Sequence, residues 1–533
     1  MKTVCKAKVH LRAPVRGSLA AIAAIGLAAC IVGPDYRAPQ TESPAAWRVD
    51  SADAYWRAAQ PSHAPLDPQW WKAFDDAQLN DLEQQALAEN QTLRVAAAHY
   101  AQARATLASV SSQQAPQVAL DASAARARVS ANRPQMSYAT PNMSTVQNDL
   151  KIGPTASYEL DLFGRIRRMV ESAQASTQQA GDDLANARLV LTAELATDYF
   201  ALRELDDEID VVNRSVALQQ KALDFVNAQH DLGAVSGLDV LQQKAQLSAT
   251  KTQVHLLENQ RQQDEHAIAV LIGKAAPEFT VTQIVTPLPV PALPTGLPSE
   301  LLQRRPDVAS AERAMAAANA QIGVARTAYF PDVTLSPSIG WESTRFANLF
   351  SVPSLMWSLG ATAGEVLFDG GKRAAGVDFA QAGYESAQAT YRQTVLTAFQ
   401  EVQNAVTGLS VLDRASGDGQ AAVDDARQSF ELANARYQGG LVAFIDVLNA
   451  EQQLLASERQ EVQIHGQQVA TVVFLAKALG GGWSVEEGAL AAGARNTNAN
   501  AANANAANVK AGANNTADAA TRDASLAAAL ETR

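Results

Sequence analysis

The chain has 533 residues, with 43 Lys plus Arg against 55 Asp plus Glu and a formal charge of −12. That acidic balance argues against a nucleic-acid binder, which needs a basic face, and the length predicts about two to four domains. Ala, Gln and Leu dominate while aromatics are only 6%, a bias that favours long helices packed through small side chains.

In chain order, residues 1–29 read as an export leader. Lys2, Lys6, Lys8, Arg12 and Arg16 precede an apolar run from Leu19 to Ala29, too short to span a bilayer as a helix. The run ends in Leu27-Ala28-Ala29-Cys30, which resembles a bacterial lipobox. The plain alternative is an incidental cysteine near a cleavage site; the order of n-region, apolar run and small residues favours a lipid on Cys30. Cleavage there would move the formal charge from −12 to −17 and leave Cys30 as the only cysteine, without an internal disulfide. Residues 30–75 are then a lipid-anchored N-terminal segment, and the lipid is the only cofactor expected. No later stretch reaches the ~20 apolar residues of a spanning helix, so the chain hangs from a membrane or crosses it as strands.

From residue 76 the chain repeats itself. His230-Asp-Leu-Gly-Ala-Val-Ser-Gly-Leu-Asp239 recurs about 207 residues later as Tyr437-Gln-Gly-Gly-Leu-Val-Ala-Phe-Ile-Asp446. Leu271-Ile-Gly273 and Ala478-Leu-Gly480, Pro116 to Leu120 and Pro331 to Leu335, and Leu162-Phe163 and Leu367-Phe368 follow in the same order. Duplication explains this. The first repeat, 76–273, is expected to hold a helix over 91–114, strands over about 116–131 and 148–163, and hairpin helices over about 165–232 and 237–273. After a linker (274–305), the second repeat (306–482) has a helix over 306–328, strands over about 331–345 and 357–370, and hairpin helices over about 371–438 and 443–480. Residues 483–533 form an Ala/Asn-rich tail expected to be disordered.

The strands alternate: Val333, Leu335, Ile339 and Trp341 against Asp332, Thr334, Ser338 and Gly340. One face of a soluble sandwich and one side of a membrane sheet both suit that pattern. Four strands cannot close a barrel, and open edges are forbidden in lipid, so several chains must share one barrel if these strands enter a membrane. The longest helices contain no proline and would reach roughly 100 Å each. In the second of them Tyr384, Ala387, Tyr391, Val395, Ala398, Val402, Ala405 and Leu409 recur at three and four, a coiled-coil-like seam explained by packing alone. No phosphate loop, nucleophile elbow or Cys/His ligand set is present, so no enzyme is expected.

The motifs Cys30-Ile-Val-Gly-Pro-Asp-Tyr36, Ser157-Tyr-Glu-Leu-Asp-Leu-Phe-Gly-Arg165, Leu297-Pro-Ser-Glu-Leu-Leu-Gln-Arg-Arg-Pro-Asp307, Phe368-Asp-Gly-Gly-Lys372 and Ala435-Arg-Tyr-Gln-Gly-Gly440 lie in order over about 30–482. On them the chain resembles the TolC family of outer membrane factors, in the lipidated OprM/NodT-like branch. The resemblance implies a homotrimer with a mixed membrane fold: four strands per chain in a shared 12-stranded outer-membrane barrel and a periplasmic coiled-coil tunnel. It implies a passive exit duct for small toxic compounds, fed by a periplasmic adaptor and an inner-membrane transporter of the resistance-nodulation-division type. The turns at 132–147 and 345–356 would face outside the cell.

The repeat turns are the hairpin tips. Asp239 and Asp446 each have a plain role at a helix N-terminus, where the dipole favours a carboxylate. In TolC-like proteins these positions match aspartates of the periplasmic constriction; Asp446 would form a ring in the trimer, and Tyr437 would latch onto the acid aligned with Asp239. A second family acid is Asn449 here, and a basic latch residue is Val442, so the constriction should be less acidic and less cross-linked. Leu441, Val442, Phe444 and Ile445 are expected to help close it by packing or dewetting. The same tips, Gly233, Ala234, Val235 and Ser236 with Gly439, Gly440, Leu441 and Val442, match the family's adaptor contact. The alternatives are a duct for secreted peptides or metal ions, and a lipid-anchored periplasmic coiled-coil scaffold without a pore.

Overall fold

A computed structural model describes residues 31–39, 43–44, 46–48, 66–131, 145–286, 288, 290–293 and 303–484. The leader, Cys30, most of the 132–147 turn and nearly all of the tail lie outside the described residues. The chain divides into two compact units, one of residues 1–40, 99–180 and 311–392, the other of 41–98, 181–310 and 393–533. No helix among the described residues is long and apolar enough to cross a membrane.

The first unit is organised by a sheet. Strands β1 (Gln117–Val129), β2 (Thr145–Leu160), β3 (Asp332–Ser343) and β4 (Leu355–Gly364) pair antiparallel in the order β1-β2-β3-β4. Register sets Leu120 against Pro154, Ile152 against Trp341, and Ile339 against Trp357. Because side chains alternate, most of the large apolar residues of the four strands share one face, while Met356, paired with Gly340, lies on the other. Val118 (72%), Leu120 (72%), Trp357 (75%) and Leu359 (74%) are exposed on the apolar face. The opposite face is small and polar: Thr155 Oγ1 donates to Asp121 at 2.6 Å, Ser338 and Ser358 bond at 2.8 Å, and Lys151 pairs with Asp149 at 3.0 Å. On that face Gly153 and Gly340 oppose each other. A Cβ on Gly153 would lie 2.2 Å from the Ile339 carbonyl oxygen, so only glycine allows this close approach. Strand β4 ends at Gly364, short of the expected 370, because Gly364 already faces Asp332, the first residue of β3.

Side-chain caps start the helices that leave the sheet. The Asp161 carboxylate accepts from the Ile166 and Arg167 amides at 3.0 and 2.9 Å, opening α3 (Arg165–Asp231). Asp369 accepts from the Gly371 and Arg373 amides, both at 3.0 Å, opening α6 (Lys372–Gln438); these bonds and the Arg373 guanidinium lower its carboxyl below the usual range. The remaining helices are α1 (Ala77–Glu89), α2 (Gln91–Ser111), α4 (Gly237–Leu271), α5 (Pro306–Thr327) and α7 (Phe444–Ala478). Helix α1 precedes the helix expected over 91–114 as a separate element. Asp76 caps it and Asn90, whose Oδ1 accepts from the Leu93 amide at 2.8 Å, starts α2 immediately after it.

In the second unit, Trp70, Trp71, Phe74, Tyr199 and Phe200 form a buried aromatic core. Within it the Arg203 guanidinium bonds Asp76 at 2.9 Å and Thr286 Oγ1 at 2.9 Å. The seam of α6 is buried from Tyr391 through Val395, Ala398, Val402, Ala405 and Leu409.

In the first unit the segment after Cys30 is fastened down. Val32 N donates to Phe163 O at 3.1 Å, and Asn319 Nδ2 donates to Pro34 O at 3.0 Å. The buried Arg168 guanidinium reaches Val32 O (3.2 Å), Gly33 O (3.2 Å) and Asp35 (2.8 Å). Arg168→Met should therefore release this segment, costing about 2 kcal/mol through the orphaned carbonyls. Limited proteolysis should cut residues 31–39 much faster than in the wild type while the sheet stays resistant.

Candidate functional site at the helical hairpin tips

Both hairpin turns close by the same backbone device. At the first, Gly233 N donates to His230 O (2.8 Å) and Ala234 N to Gln229 O (2.9 Å). At the second, Gly440 N donates to Tyr437 O (2.9 Å) and Leu441 N to Arg436 O (2.9 Å). These paired bonds, three and five residues back, are Schellman caps, whose left-handed residue is normally glycine; φ is 75° at Gly233 and 71° at Gly440.

Three residues into the next helix stand Asp239 and Asp446. Asp239 accepts from the Ser236 amide (3.0 Å) and the Ser236 hydroxyl (2.9 Å). Asp446 accepts from the Ala443 amide at 3.2 Å. Both carboxylates thus serve their own helix N-termini. The repeats differ in one donor: Ala443 stands where Ser236 stands, so Asp446 receives no hydroxyl and is exposed, whereas Asp239 is half-buried.

The Tyr437–Asp239 latch is not made within the chain. The Tyr437 hydroxyl donates to Gln229 Oε1 at 3.2 Å, and the Asp239 carboxylate is taken by Ser236. The two remain electrostatic neighbours: burial first, and then the negative Asp239, raise the Tyr437 hydroxyl above its ordinary value. Phe444 also differs from expectation. It is only 6% exposed, packed with Leu223 and Val226 of α3, Val240 and Leu247 of α4, and Val447 and Leu448 of its own helix. Its ring lies 5.2 Å from that of Tyr437. Phe444 therefore holds the two hairpins together and is not available to line an aqueous constriction. The exposed apolar residues are Leu441, Ile445, and, missed in the sequence, Leu232, Leu238 and Leu241. Gly233, Ala234, Ser236, Gly439, Gly440 and Asn449 are exposed, while Val235 and Val442 are half-buried.

Above this apolar tip cluster sits a polar layer that the sequence reading also missed. Gln219 of α3, Gln243 of α4 and Glu451 of α7 are buried. Gln219 Nε2 donates to Ser215 Oγ at 3.2 Å, and Gln243 Nε2 donates to Gln219 O at 2.9 Å. A second apolar cluster, Val211, Val212, Val254 and Leu455, follows. The signal was there: Val240, Gln243, Leu247, Thr250 and Val254 keep alternate spacings of three and four, with polar residues at seam positions.

The sequence pattern described as outer membrane efflux protein matches residues 82–274 and 297–481, one stretch in each repeat. The chain is 32% identical over 444 residues to the pyoverdine export outer membrane protein OpmQ of Pseudomonas aeruginosa, spanning 83% of this chain and 93% of that protein. The chain belongs to the outer membrane efflux protein family. It is 31% identical to the solvent efflux pump outer membrane protein SrpC of Pseudomonas putida over 473 residues, 88% of this chain and 99% of that one. Its fold superposes on the outer-membrane channel OprN with a TM-score of 0.79 at 33% identity, covering 85% of this chain and 100% of that structure. The chain is thus an outer-membrane efflux component of TolC-like architecture.

In this efflux protein the polar layer makes the hairpins pH-sensitive. Burial pushes the Glu451 carboxyl up to about 7 from an ordinary 4.5, with the Gln219 hydrogen bond opposing. The folded state then binds the proton more tightly than the unfolded one, so stability falls as pH rises between 4.5 and about 7 and stays reduced above. Glu451→Gln should flatten that dependence and gain about 1–3 kcal/mol at pH 8. Hydrogen exchange of residues 219–247 and 440–455 across pH checks it.

Proposed function

We propose that the chain is the passive exit duct of a tripartite efflux pump, conducting small organic compounds from the periplasm to the exterior. The observation that carries this reading is the sheet: one face mostly apolar, with Val118, Leu120, Trp357 and Leu359 exposed on it, the other small and polar, and, among the described residues, β1 and β4 each paired on one side only. Such a sheet can enter lipid only if its free edges are paired, and four strands are too few to close. Copies of the chain, in a homotrimer, supply the missing pairs. The polar face lines the passage and the apolar face meets lipid.

The gate belongs at the hairpin tips. Asp446 is the better-placed of the two aspartates because it is exposed and has one donor fewer, so in a trimer its carboxylates would ring the periplasmic opening and select for cations. Exposed Leu441 and Ile445 narrow the same opening. Dilation requires the tips to part, and Tyr437 with its Gln229 bond resists this; a latch to Asp239 would require Ser236 to release that carboxylate. The exposed turns, Gly233 to Ser236 and Gly439 to Val442, are the surface for a periplasmic adaptor, which couples the duct to an inner-membrane transporter of the resistance-nodulation-division type. Cys30 carries the lipid that tethers the fastened N-terminal segment to the outer membrane. Small organic cargo is consistent with the pyoverdine and solvent exporters among the relatives.

Single-channel recording of purified protein in a planar bilayer tests the reading. Wild type should give small, cation-preferring steps, and Asp446→Ala should give larger steps with weaker cation preference. Unchanged steps would remove the gate from Asp446, and folded, inserted protein that never conducts would favour the scaffold without a pore.

A further inference from the structure

The turn between β3 and β4 is built inside out. Residues 344–354 hold two short 3₁₀ turns, Phe346–Asn348 and Val352–Ser354, and serine hydroxyls are spent on the turn's own backbone. Ser351 Oγ and Ser354 Oγ both donate to the Asn348 carbonyl oxygen at 2.7 Å, and the Ser351 amide donates to it at 3.1 Å. Ser343 Oγ, at the end of β3, donates to the Arg345 carbonyl oxygen at 2.9 Å, and Asn148 Nδ2 of β2 donates to that of Thr344 at 3.4 Å. Large apolar side chains face outward instead: Phe346 is 76% exposed, Phe350 64% and Val352 86%, with only Leu349 buried. Arg345 is the one charged residue of the turn. A turn made for water has the opposite arrangement, with hydroxyls outward and no contiguous apolar surface.

The sheet fixes the lean and the height of this turn. The Phe350 ring lies edge-on to that of Trp341 at 5.7 Å. Trp341 pairs with Ile152 and Leu355, next to the Ile339–Trp357 pair on the apolar face, so the turn leans onto that face and away from the polar one. Along β2 the apolar side runs from Leu160 to Leu150. Those ten steps span about 34 Å of strand at ~3.4 Å each, or roughly 26 Å of height at the ~40° tilt of outer-membrane strands, matching the ~25 Å apolar band of such sheets. Leu150 is paired with Ser343, and the turn therefore begins where that band ends. This end is the one remote from the helices, since α3 starts at Arg165, just past Leu160.

We propose that the β3–β4 turn is seated in the outer leaflet, with Phe346, Phe350 and Val352 among the upper acyl chains of the lipid, and does not stand over the exit of the passage. The inference rests on the outer-membrane duct reading, which puts the apolar face of the sheet in lipid. The turn continues that face past Trp341 with the same chemistry. Its self-bonded backbone suits the same medium, because carbonyl oxygens that lipid cannot solvate must find donors within the chain. Aromatic rings at this depth lie where outer-membrane sheets carry their girdles, and the long side chain of Arg345 can return its charge to the headgroups. Seated in this way, the turn would set the height of β3 and β4 in the membrane and leave the polar face open to the outside.

The test uses the full chain in phosphatidylcholine vesicles, with the fluorophore bimane attached singly through F346C, V352C or, on β4, L359C. Two quenchers are compared: a phospholipid carrying a nitroxide high on its acyl chain, and iodide on both sides of the membrane. Bimane at 346 and 352 should lose most of its emission to the nitroxide lipid and little to iodide. Quenching by iodide alone would put the turn in water, and protection from both quenchers would give its apolar surface to a second copy of the chain; either result overturns the proposal. Position 359 keeps that failure distinct from failure of the duct reading. Nitroxide quenching at 359 with iodide quenching at 346 and 352 would sink only the lipid-seated turn, whereas iodide quenching at all three would take the sheet out of the bilayer and the duct with it.

Discussion

The constraint on which the structure depends is that no backbone edge can be left unpaired in lipid. The sheet has an apolar face that water would penalise and two edges that lipid would penalise, so neither medium accepts the chain alone. Burying a face of that size in membrane is worth ~25 cal/mol for each Å² removed from water, while each unsatisfied backbone group costs several kcal/mol in hydrocarbon. In the proposed duct, association with copies of itself resolves both. The cross-strand match is strict because a slip of one residue would turn every apolar side chain into the passage. Gly153 and Gly340 let β2 and β3 approach closely where any side chain would meet a carbonyl oxygen.

The helical unit answers a different requirement, stability that can be locally relinquished. Seam residues such as Val395, Ala398, Val402 and Ala405 pack tightly, but nearer the tips the seam alternates apolar clusters with the Gln219–Gln243–Glu451 layer. A polar layer fixes register at a cost in stability, and it separates the Phe444 cluster from the apolar packing beyond. The tip therefore has its own small core, which suits a part that moves as a unit in the proposed gating. Asp239 and Asp446 do double duty: each secures a helix start, and the serine missing beside Asp446 leaves that carboxylate open to the solvent.

Much of this was legible in the residues. Alternation from Val333 to Trp341 located β3, and proline-free runs located α3 and α6, because period and proline act locally. The duplicated turns around Gly233 and Gly440 announced their own geometry, since a left-handed residue followed by a helix-capping acid has few other uses. What escaped depended on neighbours distant in sequence. Phe444 was expected at the constriction, yet one helical turn presents apolar residues both inward and outward, and only the packing of α3 and α4 against α7 shows that Phe444 points inward. Tyr437 could be paired with Asp239 by resemblance, but whether its hydroxyl reaches Asp239 or Gln229 depends on who else holds the aspartate. The end of β4 was set by where β3 begins, which no property of residues 365–370 reveals. Helix α1 hid beside α2 because Asn90 ends one helix and caps the next without a proline or glycine to mark the break.

In the proposed duct the sheet stands in the membrane with its apolar face toward lipid and its polar face toward water. Spin labels placed singly at positions 357, 358, 359 and 360 of β4, in protein reconstituted into liposomes, test it by accessibility to oxygen and to a water-soluble nickel chelate. Strict alternation is expected: labels at 357 and 359 see oxygen, and those at 358 and 360 see the chelate. Chelate access at all four positions would place the strands outside the bilayer and contradict it.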